Sequence, residues 1–377
     1  MKRLACLDGL RGCLAVYVLV GHMAPFAVLP DWVLSLVSHG GAAVDMFFVL
    51  SGLVIVQSLE RYGRQTAPFL IARAARIFPV FLPVFAFSIV VQTLTCSFDH
   101  MPWITPDSAA RDICAALWPQ ARLPELVAHL TMTHGLFPNG LLPNAWVSFL
   151  GSAWSLSTEW QFYALAALLA TDRGRLLRML LVLALAGLAW QWVAPEAWQF
   201  SRAFLPNKAH FFALGVASEA LVRRRPGAVR RYAAVLAMTL AVCAAQQAVG
   251  KLLPPLAWTL CLAVQMYPLA PGLGLAGRLL QSRVMQYLGA ISYCVYLVNE
   301  PLHKVIGYAV SRLADGDGLL FTFLWVPLTT LVPIGVAAGL HAWIEEPALR
   351  WGHTMAQVKV VHWLREMVSR SASYGDD

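Results

Sequence analysis

Apolar runs close to the length of a bilayer-spanning helix recur from one end of this chain to the other. A hydrocarbon core of about 30 Å takes roughly 20 helical residues. Stretches of that kind lie at about 9–29, 42–59, 77–95, 154–170, 177–193, 207–222, 232–249, 254–272, 284–302 and 319–343. Only 13% of the 377 residues are charged, against about 25% in an ordinary soluble domain. The pattern predicts an all-α polytopic membrane protein with about ten transmembrane helices. Residues 1–350 form its transmembrane domain, and residues 351–377 form a basic amphipathic tail on the membrane surface. The first run follows Met1, Lys2 and Arg3 like a signal peptide, but Arg11 interrupts it, and it reads as a retained span.

The formal net charge of +8 is explained by where the cations fall. Twenty of the 28 Lys and Arg residues lie on one side of the ten spans and seven on the other, with Arg11 inside the first. This is the positive-inside pattern. It places both termini in the cytoplasm of a bacterial inner membrane, with lipid as the partner and no nucleic acid. The seven cysteines lack metal-ligand spacing, so no metal is expected. Cys96 and Cys114 share a long outer segment, about 96–153, where a disulfide and two free thiols both remain open. That segment is rich in Pro and Trp and mildly amphipathic near 107–117, and is expected to roof an outward-facing cavity.

Ionisable residues inside spans are costly and usually face a protein interior. Arg11 and His22 are eleven residues apart, which at about 100° and 1.5 Å per residue puts them on one face roughly 16 Å apart. A guanidinium toward the cytoplasmic end suits a phosphate or thioester carbonyl, and an imidazole toward the outer end suits a general base. Asp45 lies at a depth similar to His22 and is expected to orient the imidazole. Arg73 and Arg76 share a face at the entrance of the third span and could dock phosphates. Ordinary membrane anchoring would place them there too. Ser155, Glu159 and Tyr163 share a stripe near the outer end of the fourth span, where the carboxylate could pair with a cation or bind an acceptor hydroxyl. Tyr296, Asn299, Glu300, Glu345 and Glu346 add polar groups near the C-terminal end.

The pieces LDGLRGCLAVYVLVGH, VDMFFVLSG, ARAARIFPV, WSLSTEWQFY, ISYCVYL and EEP occur in that order from Leu7 to Pro347. Together they resemble the acyltransferase-3 family of membrane O-acyltransferases. The resemblance implies transfer of an acyl group, usually acetyl, from cytoplasmic acyl-CoA (here acetyl-CoA) to a carbohydrate hydroxyl beyond the membrane. The family's Arg and His match Arg11 and His22, its paired arginines match Arg73 and Arg76, and its acidic residue before the FF segment matches Asp45. The implied catalytic set is His22, Arg11 and Asp45, with Arg73, Arg76 and Arg11 holding the donor. Glu159, Tyr163 and Asn299 would contact the acceptor. Asn299 departs from the family's pattern, which often has His there. Arg11 and His22 are expected to line one shared tunnel. A proton-coupled transporter with Arg11, His22 and Asp45 as a relay is the alternative, but it predicts inverted repeats, and none is found. Oligomeric state is not indicated.

Overall fold

The computed structural model describes residues 4–94, 98–170, 172–246, 249–268, 270 and 272–358. Cys96 and the tail beyond residue 358 lie outside the described residues. Its α-helices include α1 (Ala5–Met23), α2 (Asp31–Val37), α3 (Gly40–Arg61), α4 (Thr66–Val91), α5 (Ala109–Ala116), α6 (Arg122–Leu130) and α7 (Trp154–Leu168). They continue as α8 (Arg173–Val193), α9 (Leu205–Val222), α10 (Ala228–Ala245), α11 (Leu253–Met266), α12 (Gly274–Leu280), α13 (Arg283–Ala314) and α14 (Gly318–Leu340). No strand forms among the described residues. We call the face bearing Leu4 and His353 inner, and the face bearing residues 98–153 outer.

Each of the ten expected spans falls on one helix. Six segments are long and apolar enough to cross a membrane by length and composition: Ala5–Phe26, Asp31–Arg61, Thr66–Leu94, Gly174–Val193, Ala228–Ala245 and Gly318–Val358. The helices outside that set are short, as α7 and α11 are, or rich in polar side chains, as α9 and α13 are. Such residues are tolerated when they face protein. In α9 the run Ala209–Ala220 is buried throughout.

Two close backbone approaches hold the bundle together. α1 lies along α13, and α3 lies along α9. A Cβ on Gly289 would stand 2.0 Å from the Asp8 carbonyl oxygen, and one on Gly215 would stand 2.0 Å from that of Val49. Small residues at helix crossings allow this contact. The Gln265 side-chain oxygen also accepts from the amides of Cys6 and Leu7 at 3.0 and 3.3 Å. It thereby satisfies the Cys6 amide, which the first turn of α1 leaves without a helical partner, while the Leu7 amide also donates to the Leu4 carbonyl at 2.9 Å.

The outer segment builds a layer of its own. Its amphipathic stretch is helical as α5, and Phe98, Met101, Ile104, Ala110 and Cys114 pack against Met23, Val310, Phe321 and Trp325. Because its outer half is covered by this layer, α13 continues to Ala314, well past the expected end near residue 302. His129 and His134 stack in the same segment with ring centroids 4.1 Å apart, and Phe85 stacks on His129 at 5.5 Å.

The Gly289 contact is testable by substitution. Gly289→Ala should lower unfolding stability in detergent by about 1–3 kcal/mol, because the clash is with backbone. Gly335→Ala, on α14 with nothing near its Cβ position, should stay within about 0.5 kcal/mol of the parent. A pH effect follows from the His pair. Burial pushes the His129 imidazole down to about 4. The unfolded chain therefore takes up a proton below about pH 6.5 that the folded chain refuses until near pH 4. Stability should fall as pH drops through that window, and thermal unfolding of His129→Gln should show a smaller fall.

Candidate active site

The inner half of the bundle encloses a cavity of about 130 Å³ lined by Arg11, Arg73, Arg76, Ser51, Glu159, Tyr163, Tyr293 and Tyr296, among others. It continues toward the inner face through a second cavity of about 350 Å³ that shares Arg11 and Arg73 and adds Asp8, Gln57 and Arg61. One helix face of α4 thus brings both expected arginines to the same space.

Their partners separate them. Arg76 is ion-paired with the fully buried Glu345, and Tyr293 lies under its guanidinium at 5.3 Å. Glu345 accepts from His341 Nδ1 at 2.8 Å and from Cys294 Sγ at 3.1 Å. It ends a π-helical turn, His341–Glu345, at the foot of α14. Arg76 is therefore committed to a buried ion pair and does not serve as a free phosphate dock. Arg73 stacks over Phe69 and Tyr163, each at 5.8 Å, and its Nε is buried without a hydrogen-bond partner. Neither Arg73 nor Arg11 has a carboxylate within ion-pair distance among the described residues. Among the described residues, Arg11 and Arg73 are consequently the guanidiniums lining this cavity without a carboxylate partner.

Glu159 and Tyr163 also face this inner cavity and not the outer one expected for an acceptor. The turn Gly151–Ala153 is already deep in the protein, with Ser152 and Ala153 buried, so α7 begins below the outer surface. Glu159 accepts a hydrogen bond from Ser51.

His22 lines a different space. An outer chamber of about 280 Å³ is bounded by His22, Trp146, Gly151, Trp154, Arg202, Glu300, His303, Lys304 and Trp325, with aromatic and aliphatic side chains between them. No residue lines both this chamber and the inner cavity. The expected single tunnel is therefore two chambers. The wall between them is built on one turn of α13. Tyr296 faces inward, with its hydroxyl 2.8 Å from Ser155 Oγ and donating to the Ser152 carbonyl at 3.1 Å. Glu300 faces outward, and its Oε2 accepts from the Ser152 amide at 3.0 Å.

Asn299 stands between those two residues and is the partner of His22. Its amide nitrogen donates to the carbonyls of Val295 and Tyr296 at 3.0 and 2.6 Å. Its oxygen is thereby turned to His22 Nδ1, 2.8 Å away. An amide oxygen only accepts, so Nδ1 carries the proton and Nε2 keeps a free lone pair. Asn299 thus orients the imidazole, where Asp45 was expected to stand.

Asp45 is elsewhere. It is buried and ion-paired with Lys208 at 2.6 Å. The close crossing of α3 and α9 brings Lys208, in the first turn of α9, against it. With Asp45 committed to Lys208, the transporter relay through His22 is not assembled. His303 and Lys304 were not expected as lining residues, because the predicted span ended at 302, and Glu300, inside that span, was named without a role. The i,i+4 spacing of Asn299 with His303 and of Glu300 with Lys304 was the available sign. Among the described residues no group of His, Cys, Asp and Glu could hold a metal ion.

The Asp45 assignment can be checked by thermal unfolding. Lys208→Met alone leaves a buried carboxylate unpaired and should destabilise by about 3–5 kcal/mol. The double variant Asp45→Leu with Lys208→Met should be closer to the parent than either single change.

No curated protein and no solved structure matched the chain. The acyltransferase domain profile of the acyltransferase-3 family matches residues 4–341, nearly the whole chain. A polytopic helical bundle with Arg11 and His22 on one face of its first helix is in keeping with that match. The chain belongs to the acyltransferase-3 family, and is a membrane acyltransferase.

Proposed function

We propose that this protein moves an acyl group, acetyl by family habit, from cytoplasmic acyl-CoA to a hydroxyl of a glycan or glycoside on the far side of a bacterial inner membrane. The observation that carries this reading is the state of His22. Its Nδ1 is tied to Asn299, which leaves Nε2 as a proton acceptor at the wall of the outer chamber. The inner face is taken as cytoplasmic from the distribution of Lys and Arg.

The donor's phosphates meet Arg73 and Arg11, the two guanidiniums left without carboxylates, and its thioester arm extends toward Tyr296. Arg presents a fork of donors suited to phosphate oxygens. Parting of the Tyr296–Ser155 contact joins the two chambers. His22 Nε2 then takes the proton from an acceptor hydroxyl, and the freed oxygen attacks the thioester carbonyl. Collapse of the tetrahedral adduct forms the ester and breaks the carbon–sulfur bond. The leaving thiolate takes its proton back from the imidazolium. Until then the wall keeps outer water from the thioester, as closed sites do for reactive intermediates.

The test uses labelled acetyl-CoA supplied to inverted vesicles, together with the ester content of surface glycans in a deletion strain. His22→Ala should lower transfer by about 10²–10⁴-fold, the usual worth of a general base, and Arg11→Ala should fail to restore ester. Asn299→Asp, which keeps an acceptor for Nδ1, should retain more activity than Asn299→Leu. Ester levels restored by both His22→Ala and Arg11→Ala would remove this assignment.

A further inference from the structure

The charges of the outer chamber do not balance. Among the described lining residues the only carboxylate is Glu300: its Oε2 accepts from the Ser152 amide, and its Oε1 is ion-paired with Lys304 Nζ at 3.3 Å without a hydrogen bond. Lys304 itself is buried and also donates to Gln92 Oε1 at 3.2 Å. His22 and His303 are spoken for by Asn299 and by the Thr329 carbonyl. Arg202 is the remaining charged group of the lining. Its guanidinium sits over Trp146 at 4.8 Å and over Trp154 at 5.8 Å. No carboxylate lies within ion-pair distance of it among the described residues.

This cation is held in place. The adjoining Ala203 carbonyl accepts from Thr158 Oγ1 at 3.0 Å and from Gln161 Nε2 at 2.9 Å, anchoring the loop to α7. The guanidinium lies over two indole rings and is exposed, so it can be reached by a ligand. Lys251 adds a further positive charge close enough to interact with Arg202, whereas Lys208 is already neutralised by Asp45. A solvent-exposed guanidinium over aromatic faces, at the rim of a chamber whose Glu300 and Lys304 are paired with each other, suits a planar or tetrahedral oxyanion beside an apolar ring face.

We propose that the acceptor carries a carboxylate or phosphate next to the hydroxyl that is acylated, and that Arg202 binds it. This inference rests on the acyl-transfer reading and names the substrate class of its outer site. Arg202 is exposed to solvent, and a neutral sugar seated against it would displace water without supplying a counter-charge. An anionic one completes the site and sets its hydroxyl toward His22.

The experiment compares a deletion strain complemented with parent, Arg202→Ala or Arg202→Lys. Surface glycans are digested to the smallest ester-bearing fragments, which are separated by anion exchange and identified by mass spectrometry as uronate- or phosphate-bearing. The parent should place its ester on retained fragments. Arg202→Ala should cut that ester about tenfold, the loss of one charge-assisted contact, with unchanged membrane level and thermal unfolding, and Arg202→Lys should fall between. In vesicles given the purified acceptor fraction, Arg202→Ala should raise KM and leave kcat near the parent value. Ester found on neutral fragments, or parental KM in Arg202→Ala, overturns the inference while leaving acyl transfer in place. A deletion strain that keeps every ester refutes acyl transfer itself, and the inference falls with it.

Discussion

The site depends on how closely α1 and α13 approach. Gly289 has no Cβ where one would collide with the Asp8 carbonyl, and Gly9 lacks one that would collide with Leu280. With the backbones in contact at the inner end, the two helices stay together as far as His22 and Asn299, whose side chains meet at 2.8 Å. A larger residue at the crossing would spread the helices and lengthen that bond. The tautomer of the histidine is thus a consequence of glycines several turns away. Rigid support of this kind is what a catalytic group needs, since small displacements of a base cost much of its effect.

α13 divides the molecule along its length. Its inner turns present Tyr293 and Tyr296 to the arginine cavity, and its outer turns present Glu300, His303 and Lys304 to the aromatic chamber. Asn299 lies between them. One turn of helix therefore carries the inner wall, the partner of the base and the outer wall. Water on the outer side and a thioester on the inner side would be kept apart by the Tyr296–Ser155 contact until both ligands are present.

Pairing among buried charges determines which cations are left to bind. Glu345 takes Arg76, Asp45 takes Lys208 and Glu300 takes Lys304. Such pairs add little net stability because desolvation offsets their attraction, but each removes a cation from the pool that a ligand could use. What remains is Arg11 with Arg73 on one side and Arg202 on the other. A guanidinium without a carboxylate partner among the described residues therefore faces each end of the proposed path.

The helical membrane class, the positions of the ten helices, the shared face of Arg11 and His22 and the family were all legible in the sequence. They rest on hydrophobic period, length and local spacing, which are properties of a helix by itself. The Arg73–Arg76 face was legible for the same reason, while the loss of Arg76 to Glu345 was not, because those residues are brought together only by packing of α4 against the foot of α14. Asn299, and not Asp45, stands beside His22 on the same ground. Depth in the membrane can be counted along a chain, but which helix stands beside which cannot, and a hydrogen-bond partner is a matter of neighbours. The division into two chambers likewise came from the fold of residues 151–153 against α13. Side-chain chemistry and periodicity were written in the order of residues, whereas pairing, burial of α13's outer half and the wall between the cavities were decided by helix crossings that no local pattern encodes.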